Sequence, residues 1–109
     1  MTDDRRLSRQ MLTSSYHYLR FELQPKVTSE ISIRQNIHQA LLDSFGITGG
    51  SIHLDILWVS DDGLETVVRV DSRDARKVLA AATSSSSPKF QLVKESPFLP
   101  SLLARDMIL

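Results

Sequence analysis

The residues best suited to acid–base or metal chemistry in this chain are its three histidines, His17, His38 and His53. A zinc centre needs ligands that converge from a short motif or a clustered spacing, and these three match no such pattern. His53 and Asp55 stand two residues apart, so on a strand they share a face, and a carboxylate beside an imidazole can orient it as a general base. A surface pair on a strand gives the same spacing. No Gly-x-Ser-x-Gly elbow accompanies them to supply a nucleophile. The chain also lacks cysteine, which removes thiolate nucleophiles, disulfides and Cys-built zinc sites.

Two further segments bear on ligand chemistry. Gly46-Ile47-Thr48-Gly49-Gly50 is glycine-rich, but a phosphate cradle runs from strand to loop to helix N-terminus, whereas this stretch follows a helical pattern and precedes a strand. It reads as a turn. Asp61 and Asp62 are adjacent carboxylates before Gly63, without the alternating oxygen ligands and distal Glu of a calcium loop. They read as turn residues. The sequence thus predicts no catalytic, metal-ligating or cofactor-binding residue, and no cofactor.

Recognition of RNA would need positive charge and exposed aromatic faces. The chain carries 13 Lys+Arg against 13 Asp+Glu, so no global field concentrates a polyanion around it. Arg5, Arg6 and Arg9 form a modest patch of candidate phosphate contacts, offset by Asp3 and Asp4. RNA-recognition domains stack bases on aromatics of two central strands. The candidate third strand, Leu64–Val70, has none, and the first offers Tyr16 and Tyr18, which serve equally as interface residues.

These residues must be positioned by a domain of 109 residues, enough for one core. With 41% hydrophobic and 24% charged residues the composition is that of a folded globular chain. No apolar run approaches the ~18 residues of a membrane span, and no signal-like segment opens the sequence. Residues 1–14 are polar and aperiodic and read as a flexible tail. From Tyr16 to Leu23, His17, Leu19, Phe21 and Leu23 alternate with Tyr16, Tyr18, Arg20 and Glu22, the period of a strand. Ser29 or Ser32 then caps a helix in which Ile33, Ile37, Leu41 and Phe45 recur, with Gly46 just past its end. Ile52 to Val59 alternates again, with Ile52, Leu54, Ile56 and Trp58 opposite His53, Asp55, Leu57 and Val59. Asp61-Asp62-Gly63 makes a hairpin to Leu64–Val70. Ser72, with Asp74 in the first turn, opens a second helix carrying Ala75, Val78, Leu79 and Ala82. Ser84–Ser87 is a loop, and Lys89–Glu95 is a last strand before Ser96-Pro97.

The order strand, helix, strand, strand, helix, strand predicts an α+β class, ferredoxin-like βαββαβ two-layer sandwich, its antiparallel sheet covered by two helices on one face. The domain spans residues 15–96, and residues 97–109 form a C-terminal interaction segment. Only one sheet face is covered in such a fold, so apolar residues on both sides of a strand need a partner, an edge or a covering tail. Leu57, Val59 and Val67 raise that question, as do Phe98, Leu99, Leu102 and Leu103 in the tail. With Tyr16 and Tyr18 they make up the predicted protein interface.

Taken together, Tyr16-His17-Tyr18-Leu19-Arg20-Phe21-Glu22-Leu23, Leu42-Asp43-Ser44-Phe45-Gly46, Leu54-Asp55-Ile56-Leu57 and Val93-Lys94-Glu95-Ser96-Pro97-Phe98-Leu99 resemble a known family in order and spacing. It is the small ferredoxin-like (RRM-like) protein subunits of ribonuclease P and ribonuclease MRP. The resemblance implies an accessory subunit of an enzyme whose catalyst is RNA, which trims 5′ leaders from precursor tRNA or cleaves precursor rRNA. It implies a nuclear and nucleolar location, pairing with a related ferredoxin-like subunit as a heterodimer, contacts to barrel-type subunits, and indirect or minor contact with the particle's RNA. A stand-alone RNA-binding domain and a self-dimerising, ligand-binding ferredoxin-like module remain as alternatives, because this fold hosts many functions. If no side chain performs chemistry, His53→Ala leaves the cleavage rate of the assembled particle within a few-fold; a loss of ~10³ with assembly intact would identify a catalytic group.

Overall fold

The alternation that opens the domain places Leu19, Phe21 and Leu23 on one side, fully buried, and Tyr16, Tyr18, Arg20 and Glu22 on the other. A computed structural model describes residues 15–98, and the segments expected as the N-terminal tail and most of the C-terminal segment lie outside them. Strand β1 (Tyr16–Gln24), helix α1 (Glu30–Gly50), strands β2 (Leu54–Val59) and β3 (Glu65–Asp71), helix α2 (Ala75–Ser84) and strand β4 (Lys89–Ser96) follow in the expected order. All strand pairs are antiparallel, in the order β2-β3-β1-β4. The fold is the ferredoxin-like α+β sandwich. No helix among the described residues is long and apolar enough to cross a membrane.

The core lies between the sheet and the two helices. Ile33, Ile37, Ala40 and Leu41 of α1 are buried at helical spacing and meet Leu54, Ile56, Val68 and Val70 of the sheet. Ala75, Val78, Ala81 and Ala82 of α2 close the other half, where the rings of Phe21 and Phe90 meet edge to face at 5.6 Å. The small side chains of α2 let it sit close to the sheet and to α1.

Ser29 is the cap of α1, accepting the Ser32 amide on its hydroxyl at 3.3 Å. Gly46, with φ of 69°, interrupts the helix where the sequence places its end, and one more short turn carries the chain to Gly50. Phe45 departs from its expected place in the core. It is 38% exposed beside this break, and the Lys77 ammonium lies 5.9 Å from its ring. The cap of α2 is Asp74 rather than Ser72, whose hydroxyl instead bonds that of Ser15 at 2.8 Å, and the helix runs on to Ser84.

The hairpin turn is built as its residues suggest. Ser60 donates to Asp62 at 2.6 Å, the Leu64 amide donates to Asp62 at 3.0 Å, and Gly63 has φ of 72°. The Gly63 carbonyl accepts the Val27 amide at 2.8 Å, and a Cβ at Gly63 would run into Val27 and Thr28, so the hairpin and the β1–α1 loop fit only with glycine there.

β2 departs most from simple alternation. Ile56 pairs with Val68, but Trp58 pairs with Val67, so Leu57 is an extra residue in the ladder. The bulge reverses the faces beyond it: Trp58 joins the open side and Val59 packs against the core. Thr66, buried on the helix side, donates its hydroxyl to the Trp58 carbonyl at 2.8 Å and so holds the bulged backbone. Thr66→Val keeps the shape but strands that carbonyl, and is expected to cost about 1–3 kcal/mol, read as a lower urea midpoint with unchanged slope.

Candidate interaction surface

The sheet face away from the helices is covered by its own side chains. Arg69 of β3 lies opposite Asp55 of β2, and its Nε and Nη2 both donate to Oδ2, at 3.1 and 2.8 Å. The same guanidinium lies 4.5 Å from the centre of the Tyr16 ring, a cation–π distance. On the neighbouring row, Arg20 of β1 donates from Nε to Glu65 Oε1 at 2.7 Å and lies 5.9 Å from the Trp58 ring. Arg20 and Trp58 are the lateral neighbours of Val67, one on each side. Val67 is therefore fully buried although it points away from the helices.

These contacts set the charge states. The hydrogen bond from Arg69 holds the Asp55 carboxyl below its ordinary value, against the opposing effect of burial, with the positive charge of Arg69 adding to the lowering. Asp71 is lowered by the side chain and amide of Arg73, and Asp62 by the Ser60 hydroxyl and the Leu64 amide.

The predicted interface residues separate under this geometry. Tyr16 is 46% exposed at the end of β1, with half-buried Tyr18 beside it on the open face. The pairing of Tyr18 with Ser96 brings the chain out at that same end, where Phe98 is 64% exposed and its amide donates to the Ser96 hydroxyl at 3.0 Å. Leu57 is exposed on the β2 edge, towards the hairpin and away from the Tyr16 end. Val59 turns to the core side and is only partly buried, whereas Val67 lies beneath Arg20 and Trp58 and offers no surface in the isolated chain. Leu99, Leu102 and Leu103, together with Arg5, Arg6 and Arg9, lie outside the described residues.

The histidines do not meet. His17 pairs with Glu95 at 2.8 Å, His38 donates from Nε2 to the Ile52 carbonyl at 3.0 Å, and His53, largely exposed, lies 3.2 Å from Asp55. Asp55 gives its other oxygen to Arg69. No group of three or more His, Asp or Glu among the described residues could hold a metal ion.

Sequence reasoning missed Trp58 on the open face, and it missed the two arginine–carboxylate pairs. Alternation alone sends Trp58 inwards; only the bulge reverses it. Arg20 and Glu65 join strands distant in sequence, and Asp55 and Arg69 meet across the β2–β3 hairpin in a register that the bulge and the turn together set. Also unforeseen are Leu42 and Ile47, exposed along an outer groove of α1 with Gln35 and His38.

Residues 13–84 match the family described as ribonucleases P/MRP protein subunit Pop8. The chain belongs to the Pop8 family. In fold it is similar to a chain in a cryo-EM structure of yeast ribonuclease MRP, with a TM-score of 0.70 and 21% identity over 85% of this chain and 82% of that one. No curated protein sequence matches the chain. As a Pop8-family member it is a protein subunit of ribonuclease P/MRP, and other subunits of the particle are its partners. The Pop8 match runs from the start of β1 to the end of α2, and so contains both arginine–carboxylate pairs. β4 and Phe98 fall beyond it.

A lowered carboxyl pKa stabilises the fold above the unfolded value of 3.8, and that contribution is lost as pH falls through the lowered value. The melting temperature of this Pop8-family chain should therefore decline from about pH 4 downwards. In Asp55→Asn the acid decline should be shallower, a comparison that circular dichroism melts across pH make directly.

Proposed function

We propose that this Pop8-family subunit is non-catalytic, that the particle's RNA carries out cleavage, and that the chain acts through a protein interface at the Tyr16–Phe98 end of its sheet. The observation that carries this reading is the exposure of Phe98 and Tyr16 at one end of a sheet whose two open-face arginines, Arg20 and Arg69, are already paired with carboxylates of the chain. The partner this end fits is a related ferredoxin-like subunit, joined as a heterodimer, with barrel-type subunits contacting the pair. Leu99, Leu102 and Leu103 extend the apolar character of the exit beyond Phe98. Burial of one such side chain contributes about 1.5–3 kcal/mol, and an aromatic at the centre of a contact is a frequent hot spot. The chain then supports assembly of a nuclear and nucleolar ribonucleoprotein that removes 5′ leaders from precursor tRNA and processes precursor rRNA.

Trp58, Tyr16 and Tyr18 on the open face favour a second reading, a base-stacking platform. Against it, Trp58 and Tyr16 already carry arginine partners, and β3 contributes no aromatic.

The two readings separate by experiment. Phe98→Ala with Tyr16→Ala should weaken co-purification with the related subunit by roughly thirtyfold or more, the equivalent of about 2 kcal/mol, with the melt of the isolated chain nearly unchanged. Retained partner, or a collapsed melt, would count against the interface. Val67→Asp should instead unfold the isolated chain, because it buries a charge beneath Trp58.

A further inference from the structure

The open face holds the parts of an RNA platform in a disabled arrangement. Two guanidiniums, Arg20 and Arg69, lie against the aromatic rings of Trp58 and Tyr16, and Lys94 of β4 stands opposite Arg20. Guanidiniums take phosphate through forked N–H donors, and aromatic faces take bases, so these groups together would suit single-stranded RNA. Each guanidinium, however, already donates to a carboxylate from a neighbouring strand, Arg20 to Glu65 at 2.7 Å and Arg69 to Asp55 at 2.8 Å. Glu22, directly opposite Glu65, adds a third carboxylate to the open face.

We propose that Asp55 and Glu65 are specificity-determining residues, each occupying an arginine that would otherwise bind an RNA phosphate and so reserving this sheet face for protein. The inference rests on the reading above that the chain works through protein contacts. The physical reason is competition at close range. A phosphate approaching either arginine must displace a carboxylate already seated on its donors, or remain beside that carboxylate and be repelled by it. Counterion release, which drives phosphate binding, is then small, because the site attracts few anions to begin with. The pairs span strands, β2 to β3 and β3 to β1, so they also fix the side chains that flank them. Neutral carboxamides at the two positions would keep the hydrogen-bond acceptor and remove the charge.

The test is fluorescence anisotropy of a labelled oligouridylate with the full chain, between ~50 and ~200 mM salt. Wild type should bind more weakly than ~10 μM. Asp55→Asn with Glu65→Gln should gain about tenfold in affinity at physiological salt, and its salt dependence should steepen by about 1.4, the amount for two added phosphate contacts at ~0.7 each on a single strand. Adding Arg20→Gln and Arg69→Gln should erase the gain. If the double carboxamide variant does not melt as a folded chain, each single variant carries the test with a gain of about threefold. Weak binding by wild type with no gain in the variants overturns the proposal and leaves the protein-interface reading standing. A gain that survives loss of both arginines also overturns it. Submicromolar binding by wild type would overturn both readings.

Discussion

The extra residue at Leu57 is the constraint on which the rest of the open face depends. Without it, Trp58 would point into the core and Val59 out to solvent, and the β2 side of the face would have no large ring. With it, Trp58 stands beside Val67, Arg20 lies against Trp58, and Glu65 anchors Arg20. The device costs one interrupted ladder position, and the Thr66 hydroxyl repairs the hydrogen bonding by taking the Trp58 carbonyl. One side chain on the helix side thus governs what the opposite side displays.

A second bulge shows the same logic at the other edge. Val93 is the extra residue where Arg20 pairs with Lys94 and Phe21 with Leu92, and it is exposed on the outermost strand. Both edge strands are therefore irregular, and β4 carries lysines at Lys89 and Lys94. Irregular, charged edges resist pairing with a further strand. A partner is then better met by a face or an end of the sheet, such as the end where Tyr16 and Phe98 are both exposed.

The layout of this molecule was legible in its sequence because each element carries a local signal. The alternation of Tyr16 to Leu23, the spacing of Ile33, Ile37 and Leu41, the Asp-Gly hairpin and Gly46 are each decided by neighbours in the chain. What was not legible is long-range. Phe45 continues the helical stripe on paper, but the helix overruns the core it packs on, so the last ring emerges into solvent. Val67 looks like an unpartnered apolar residue until Arg20 and Trp58 are placed on either side of it. Asp74 stands at the cap position of α2 without a side-chain capping bond, and the Ser72 hydroxyl bonds to that of Ser15, a partner distant in sequence. The Pop8 match covers the part of the chain in which local signals are densest, and leaves β4 and the exit segment to be understood from packing.

Because β1 and β4 are antiparallel neighbours, the start of the first and the end of the last lie side by side, at the edge where Tyr18 pairs with Ser96. A handle joined directly at Ser15 or Phe98, the two ends of the described domain, would therefore emerge over the surface proposed for a partner, and a failed pull-down with such a fusion would be ambiguous. The Ser85–Ser87 connection leads into the opposite end of β4, where Lys89 pairs with Gln24, and its Ser86 and Ser87 are exposed. A short epitope placed there would report on the protein from the far pole of the sheet. Joining Ser15 to Phe98 by a flexible linker and opening the chain at the serines would give a permuted domain with the same core.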